Sequence, residues 1–203
     1  YKDGMLKKIP KETLESIVVF GNIQLTTPCI KECLNKGIPV SFFSSKGSYF
    51  GRLVSTQHVN IFRQRKQIHL SENKEFTLGL SKKMIKAKIH NQCIVLKRYI
   101  KHPTRELEIE IKRIKNSEEL IDSCNSIEQL MGYEGNASKN YFSALSRVIN
   151  PQFAFKGRNK RPPKDSFNSM LSLGYTLLMY EIYGEIENRG INPYAGFLHK
   201  DKD

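Results

Sequence analysis

No run of about 18 or more apolar residues occurs in this sequence, so no segment reads as a transmembrane helix and no membrane is expected as a partner. The opening residues carry no signal-peptide pattern. There is no internal repeat and no low-complexity segment. Cysteine is scarce, four residues in 203, and none of the four stands in a C-x-x-C pair; a structural zinc site is therefore not expected. Cys29 and Cys33 lie one helical turn apart and read as small core residues, with all four thiols reduced in a cytoplasmic setting. Acidic residues are in deficit: 20 Asp and Glu face 33 Lys and Arg, a formal net charge of +13. That balance suits a polyanionic partner, most often nucleic acid; a lysine-rich proteome would also produce it.

The chain is long enough for one large domain or two small ones, and a hydrophobic fraction of 39% is adequate for a core. Its first part reads as β. A Lys2-Asp3-Gly4 turn sits between short extended pieces. The β-branched run at 16–20 ends at Gly21-Asn22. A short helix capped by Thr27, with Pro28 first and Gly37 after its end, separates it from a strand at 38–43. A 44–47 hairpin returns the chain through 49–54. Phe42, Phe43, Tyr49 and Phe50 fit core or dimer contacts better than a stacking surface. From about Val59 helical spacing takes over. A helix is expected over 78–100 with Met84, Ile85, Ile89, Cys93, Leu96 and Ile100 inward, after a start near Ser71-Glu72. A charged helix over 105–115 reads as a solvated face, and a short piece follows at 117–122. The fold class is thus α+β: a small N-terminal β-sheet or sandwich domain over 1–60, a linker over 61–75, and a larger all-α domain over 76–203.

The stretch 126–142 carries the first chemical signal. As a helix it aligns Ile127, Leu130, Met131, Ala137, Ser138, Tyr141, Leu145 and Val148 on one stripe, and Glu134 falls on it too. A carboxylate on an inward face needs a basic partner, a hydrogen-bond network or a metal. Gly132 and Gly135 flank it and leave room for another group. The second signal is the stretch 150–165, with Lys156, Arg158, Lys160, Arg161 and Lys164 against the single acid Asp165, anchored by Phe153 and Phe155. It feeds a helix starting at Asp165 or Ser166 and running to about Arg189, closed by Gly190, with Phe167, Met170, Leu171, Gly174, Leu177, Leu178 and Ile182 as its stripe. A basic loop at a helix N-terminus suits phosphate; it equally suits a solvated charge run, and spacing does not choose. Asn168 could cap that helix or reach a ligand. His199 follows Phe197-Leu198 near the end, where a lone histidine is ordinarily structural. His58, His69, His90 and His102 show no metal-ligand spacing. A buried-face carboxylate, a basic loop and a late histidine together fit metal-dependent phosphodiester chemistry.

Three segments in order, MGYEGNASKNYF, FKGRNKRPPKDSFNSMLSLGYTLL and GINPYAGFLH, closely resemble the CRISPR-associated adaptation integrase, the universal first component of CRISPR spacer acquisition; SIVVFG and GIPVSFFSSKG resemble its N-terminal domain. The resemblance covers nearly the whole chain. It implies a β domain that dimerises, an α-helical catalytic domain, and a metal-dependent DNA integrase and endonuclease of antiviral defence. Such an enzyme joins the 3′-OH ends of short foreign DNA to the CRISPR repeat by transesterification. It places the family's metal-binding glutamate on Glu134, its histidine on His199 and its asparagine on Asn168, with Mg²⁺ or Mn²⁺ as cofactor. Arg158, Lys160 and Arg161 match its DNA-handling loop. Implied partners are double-stranded DNA (the spacer precursor and the repeat), a second copy of the chain, and the small second adaptation protein. The family's third ligand, an aspartate, lies farther downstream; Asp201 and Asp203 follow His199 too closely to be taken for it. The chain is therefore expected to be a fragment cut at both ends. A non-catalytic DNA-binding module and a general nuclease for branched DNA are the alternatives.

Overall fold

The computed structural model describes residues 8–55, 59–160 and 162–199. The expected Lys2-Asp3-Gly4 turn, His58, Arg161, Asp201 and Asp203 lie outside the described residues. The chain divides into two compact units: residues 1–64 with 175–193, and residues 65–174 with 194–203.

In the first unit, strands β1 (Ile17–Phe20), β2 (Val40–Phe43) and β3 (Tyr49–Leu53) form one sheet in that order. β1 and β2 are parallel, with Ile17 opposite Val40 and Phe20 opposite Phe43, so a crossover must join them. Helix α1 (Thr27–Lys36) is that crossover. Its cap is Thr26 rather than Thr27: the Cys29 amide donates to Thr26 Oγ1 at 3.4 Å. Gly37 ends α1 at φ 67, where a side chain would be strained. β2 and β3 are antiparallel and meet at the 44–47 turn, where Gly47 has φ 84. Val19, Cys33, Ile38 and Val40 fill the core of this unit. Phe43 joins the interior while Phe50 stays exposed.

Residues 175–188, the second half of helix α6 (Ser166–Asn188), belong to the same unit. Tyr180 stacks on Tyr49 with ring centroids 3.4 Å apart and meets Phe43 edge-on at 5.9 Å. Arg52 pairs with Glu187 and lies 5.2 Å from the centre of the Tyr183 ring.

The second unit is helical. Helix α2 (Ile61–Glu72) and the start of helix α3 (Lys74–Tyr99) occupy the stretch expected as a linker. Ser71 and Glu72 end α2 rather than begin a helix; the start belongs to Asn73, whose Oδ1 accepts from the Phe76 amide at 2.9 Å. Helix α4 (Arg105–Leu120) is one element where two were expected. Helix α5 (Ile127–Val148) is capped by Ser126. The core joins Ile85, Ile89, Cys93 and Leu96 of α3, Leu107 and Ile114 of α4, Ile121 and Cys124 between α4 and α5, Leu130, Ala137, Ala144 and Leu145 of α5, and Phe155.

Several burial assignments change. Met84 and Met131 lie exposed at the margins of their stripes. Glu110, expected on a solvated face of α4, is buried: it accepts from the Ser143 hydroxyl, and its Oε2 sits 3.6 Å from Arg147 Nε. In α6 the expected stripe is rotated, with Met170, Leu178 and Ile182 exposed.

Candidate functional site

Glu134 lies on α5 at the edge of its buried stripe, its side chain 26% exposed. The partner is basic. Lys88, on α3, places its ammonium on Glu134 Oε1, and Ser138, one turn farther along α5, donates its hydroxyl to the same oxygen at 3.0 Å. Burial pushes the Glu134 carboxyl up. The Lys88 hydrogen bond and charge, the Ser138 hydroxyl and the nearby His199 more than offset this, so it stays below the ordinary glutamate range. The carboxylate is therefore ionised at neutral pH, and the charge of His199, exposed in the C-terminal stretch, reaches it. Open space surrounds Gly132 and Gly135: a Cβ at either would meet nothing within 4 Å. Among the described residues no three His, Cys, Asp or Glu side chains stand where they could share a metal ion. A cleft of about 540 Å³ opens beside the start of α5, lined by Ser123, Asn125, Gln129, Tyr133 and Asn136, and Glu134 is not one of its walls.

The basic loop is tied from within. Asn168, in the first turn of α6, is fully buried. Its Oδ1 accepts from Arg158 Nη1 and from the Asn159 amide, each at 3.0 Å. Its Nδ2 donates to the Gly157 carbonyl at 2.9 Å and to Asp165 Oδ2 at 2.6 Å. Arg158 also donates to the Asn159 carbonyl at 2.6 Å and to Ser172 Oγ at 3.2 Å. Gly157 takes φ 132, which a side chain would strain. Asp165 caps α6 by accepting from the Asn168 amide at 2.8 Å, so a carboxylate already occupies the place where an external anion could meet the helix N-terminus. The Asn168 side chain first, and then its amide, hold the Asp165 carboxyl below the usual aspartate range. Lys156, Lys160 and Lys164 stay exposed, and among the described residues no acid pairs with their ammonium groups.

His199 thus comes within electrostatic reach of Glu134, while Arg158 and Asn168 are drawn into the loop's own fabric and three lysines face out. The hydrogen bonds that tie the loop do not link it to Glu134. Sequence reasoning did not find Lys88; its signal was a lysine between Ile85 and Ile89, next to the α3 stripe, in a chain that needed a cation for Glu134. Asp165 as a cap was legible, its occupation of the helix terminus less so.

Comparison with known proteins settles the kinship. The family model "CRISPR associated protein Cas1" matches residues 1–203. The chain belongs to the Cas1 family. It is 42% identical to the CRISPR-associated endonuclease Cas1 of Mycobacterium tuberculosis over 95% of this chain and 56% of that protein, so it spans little more than half of that relative's length. The fold matches a Cas1 protein from Thermotoga maritima with a TM-score of 0.77 at 26% identity, over 96% of this chain and 61% of that one. It matches a chain of a Cas6-RT-Cas1–Cas2 complex with a TM-score of 0.78 at 26% identity, over 98% of this chain and 22% of that one. The match to a Cas1 structure agrees with the α+β reading.

Proposed function

We propose that this Cas1-family chain belongs to a metal-dependent DNA integrase and endonuclease of CRISPR spacer acquisition. It would join the 3′-OH ends of short foreign DNA to the CRISPR repeat. In that transesterification one P–O bond forms and one breaks, and the departing strand leaves as a new hydroxyl. The observation that carries the reading is the ionised, half-buried carboxylate of Glu134 with His199 within electrostatic reach. Carboxylate oxygen and imidazole nitrogen suit Mg²⁺ or Mn²⁺, and a hard divalent ion is content with few protein ligands when water and phosphate oxygens supply the rest. Such an ion, bound, supplies charge neutralisation at phosphate and acidifies a hydroxyl.

Ser138 orients the Glu134 carboxylate, α3 and α5 fix its height, and Lys156, Lys160, Lys164 and Arg161 offer charge to DNA backbone. Arg158 and Asn168 shape that loop. Double-stranded DNA, a second copy of this chain and the small second adaptation protein are the partners. The last is supported by the Cas2 named in the matched complex. Four free thiols support a reducing, cytoplasmic setting.

The test is strand transfer. A labelled duplex with free 3′-OH ends is mixed with repeat-bearing supercoiled plasmid and Mn²⁺, comparing the parent with Glu134→Ala. Joining by the parent and not by the variant, with DNA binding equal, supports the reading; joining retained by Glu134→Ala overturns it. An architectural DNA-binding role is the second reading. It is favoured by the two-donor site among the described residues and would show salt-sensitive binding without joining even when the second adaptation protein is added.

A further inference from the structure

The Lys88 contact has a use that metal chemistry alone does not assign. Both hydrogen bonds to Glu134 fall on Oε1, one from Ser138 and one from Lys88. The two donors differ. Ser138 is on the same helix one turn away and stays within reach of the carboxylate. Lys88 is on another helix, at the end of a long stem, with its side chain 48% exposed against 26% for the carboxylate. The ammonium can therefore swing into water while α5 keeps the backbone of Glu134 fixed. Among the described residues Lys88 pairs with no other acid. An ammonium and a divalent cation carry like charge and compete for the same carboxylate oxygen.

We infer that Lys88 is the resident counter-ion of the candidate cation site, holding the Glu134 carboxylate in place until a divalent cation takes its position, and lowering the affinity for that cation by competing with it. The inference rests on the reading of Glu134 as a metal ligand. It makes Lys88 a positioning residue.

The experiment is a Mn²⁺ titration read by the electron paramagnetic resonance of the free ion, so that no turnover is needed. Parent, Lys88→Met, Lys88→Arg and Glu134→Gln chains are compared. Lys88→Met is expected to bind Mn²⁺ roughly two- to fivefold tighter, the strength of a half-exposed ion pair expressed as competition, while Lys88→Arg stays near the parent. Without metal, Lys88→Met melts below the parent, and saturating Mn²⁺ removes the deficit. Equal or weaker Mn²⁺ binding by Lys88→Met, when that binding still depends on Glu134, overturns the counter-ion role alone. Binding that Glu134→Gln leaves unchanged in every background overturns the metal reading and the inference with it.

Discussion

Asn168 uses its side chain completely: two donors and one twice-used acceptor tie Gly157, Arg158, Asn159 and Asp165 to the start of α6. Replacing it with alanine leaves a guanidinium and a buried amide without their acceptor. Each such loss costs about 1–3 kcal/mol, so Asn168→Ala should lower stability by roughly 2–6 kcal/mol in a urea unfolding experiment. A cost under about 0.5 kcal/mol would mean the network reforms through water. Asp165 adds a pH dependence. Its carboxyl lies below its ordinary value of 3.8 in the folded chain, chiefly through the Asn168 side chain. A depressed carboxyl contributes stability that is complete above the unfolded value and is lost as pH falls through the folded one. Hydrogen exchange of the 157–168 amides, corrected for intrinsic rates, should therefore quicken relative to the rest of the helical unit only below that ordinary value. Asp165→Asn should show the quickening at neutral pH; an unchanged pattern there would remove Asp165 as the tie. At this scale the sequence was partly legible. A carboxylate on an apolar stripe announces that Glu134 has a partner, but 46 residues separate it from Lys88, and α3 offers other lysines at 82, 83, 86 and 97.

Among the elements, α5 carries both the candidate ligand and a large share of the helical core. Leu130 is fully buried four residues before Glu134. Leu130→Ala should cost about 2–5 kcal/mol and loosen the carboxylate's footing, read as a lower thermal midpoint and faster exchange of the α5 amides. If the midpoint holds, the cavity has collapsed without strain. Helix positions followed from periodicity because α3 and α5 bury aliphatic stripes. Helix α6 did not yield as well. Its buried positions include Asn168 and Gly184, while leucines and methionines of the same helix face outward. Hydrophobicity marks the inward face only when the burying contacts are apolar. Here a hydrogen-bond knot at one end and tyrosine rings with a Gly184–Pro39 approach at the other set the rotation. The same limit explains Glu110: a charge pattern reads as solvated until a serine and an arginine from another helix cover it.

For the whole molecule, the charge of +13 sets the expected form of DNA binding. Affinity for a duplex should fall linearly on a log–log plot against salt. Replacing Lys156, Lys160 or Lys164 by alanine should each flatten that slope by about 0.9, the signature of one lost phosphate contact. Fluorescence anisotropy with a labelled duplex measures it; slopes identical to the parent's would move the DNA to another face. Glu134→Ala, by contrast, removes a negative charge and should leave the slope within about 0.3 of the parent.

The stacked Tyr49 and Tyr180 rings have an optical consequence. The chain contains nine tyrosines and no tryptophan, so no indole drains their excitation. The β-containing unit thereby carries a built-in chromophore pair whose near-ultraviolet circular dichroism vanishes when the rings part. Melting of that unit can be followed without a label, while a single tryptophan placed at Phe155 would report the helical unit in a separate spectral window.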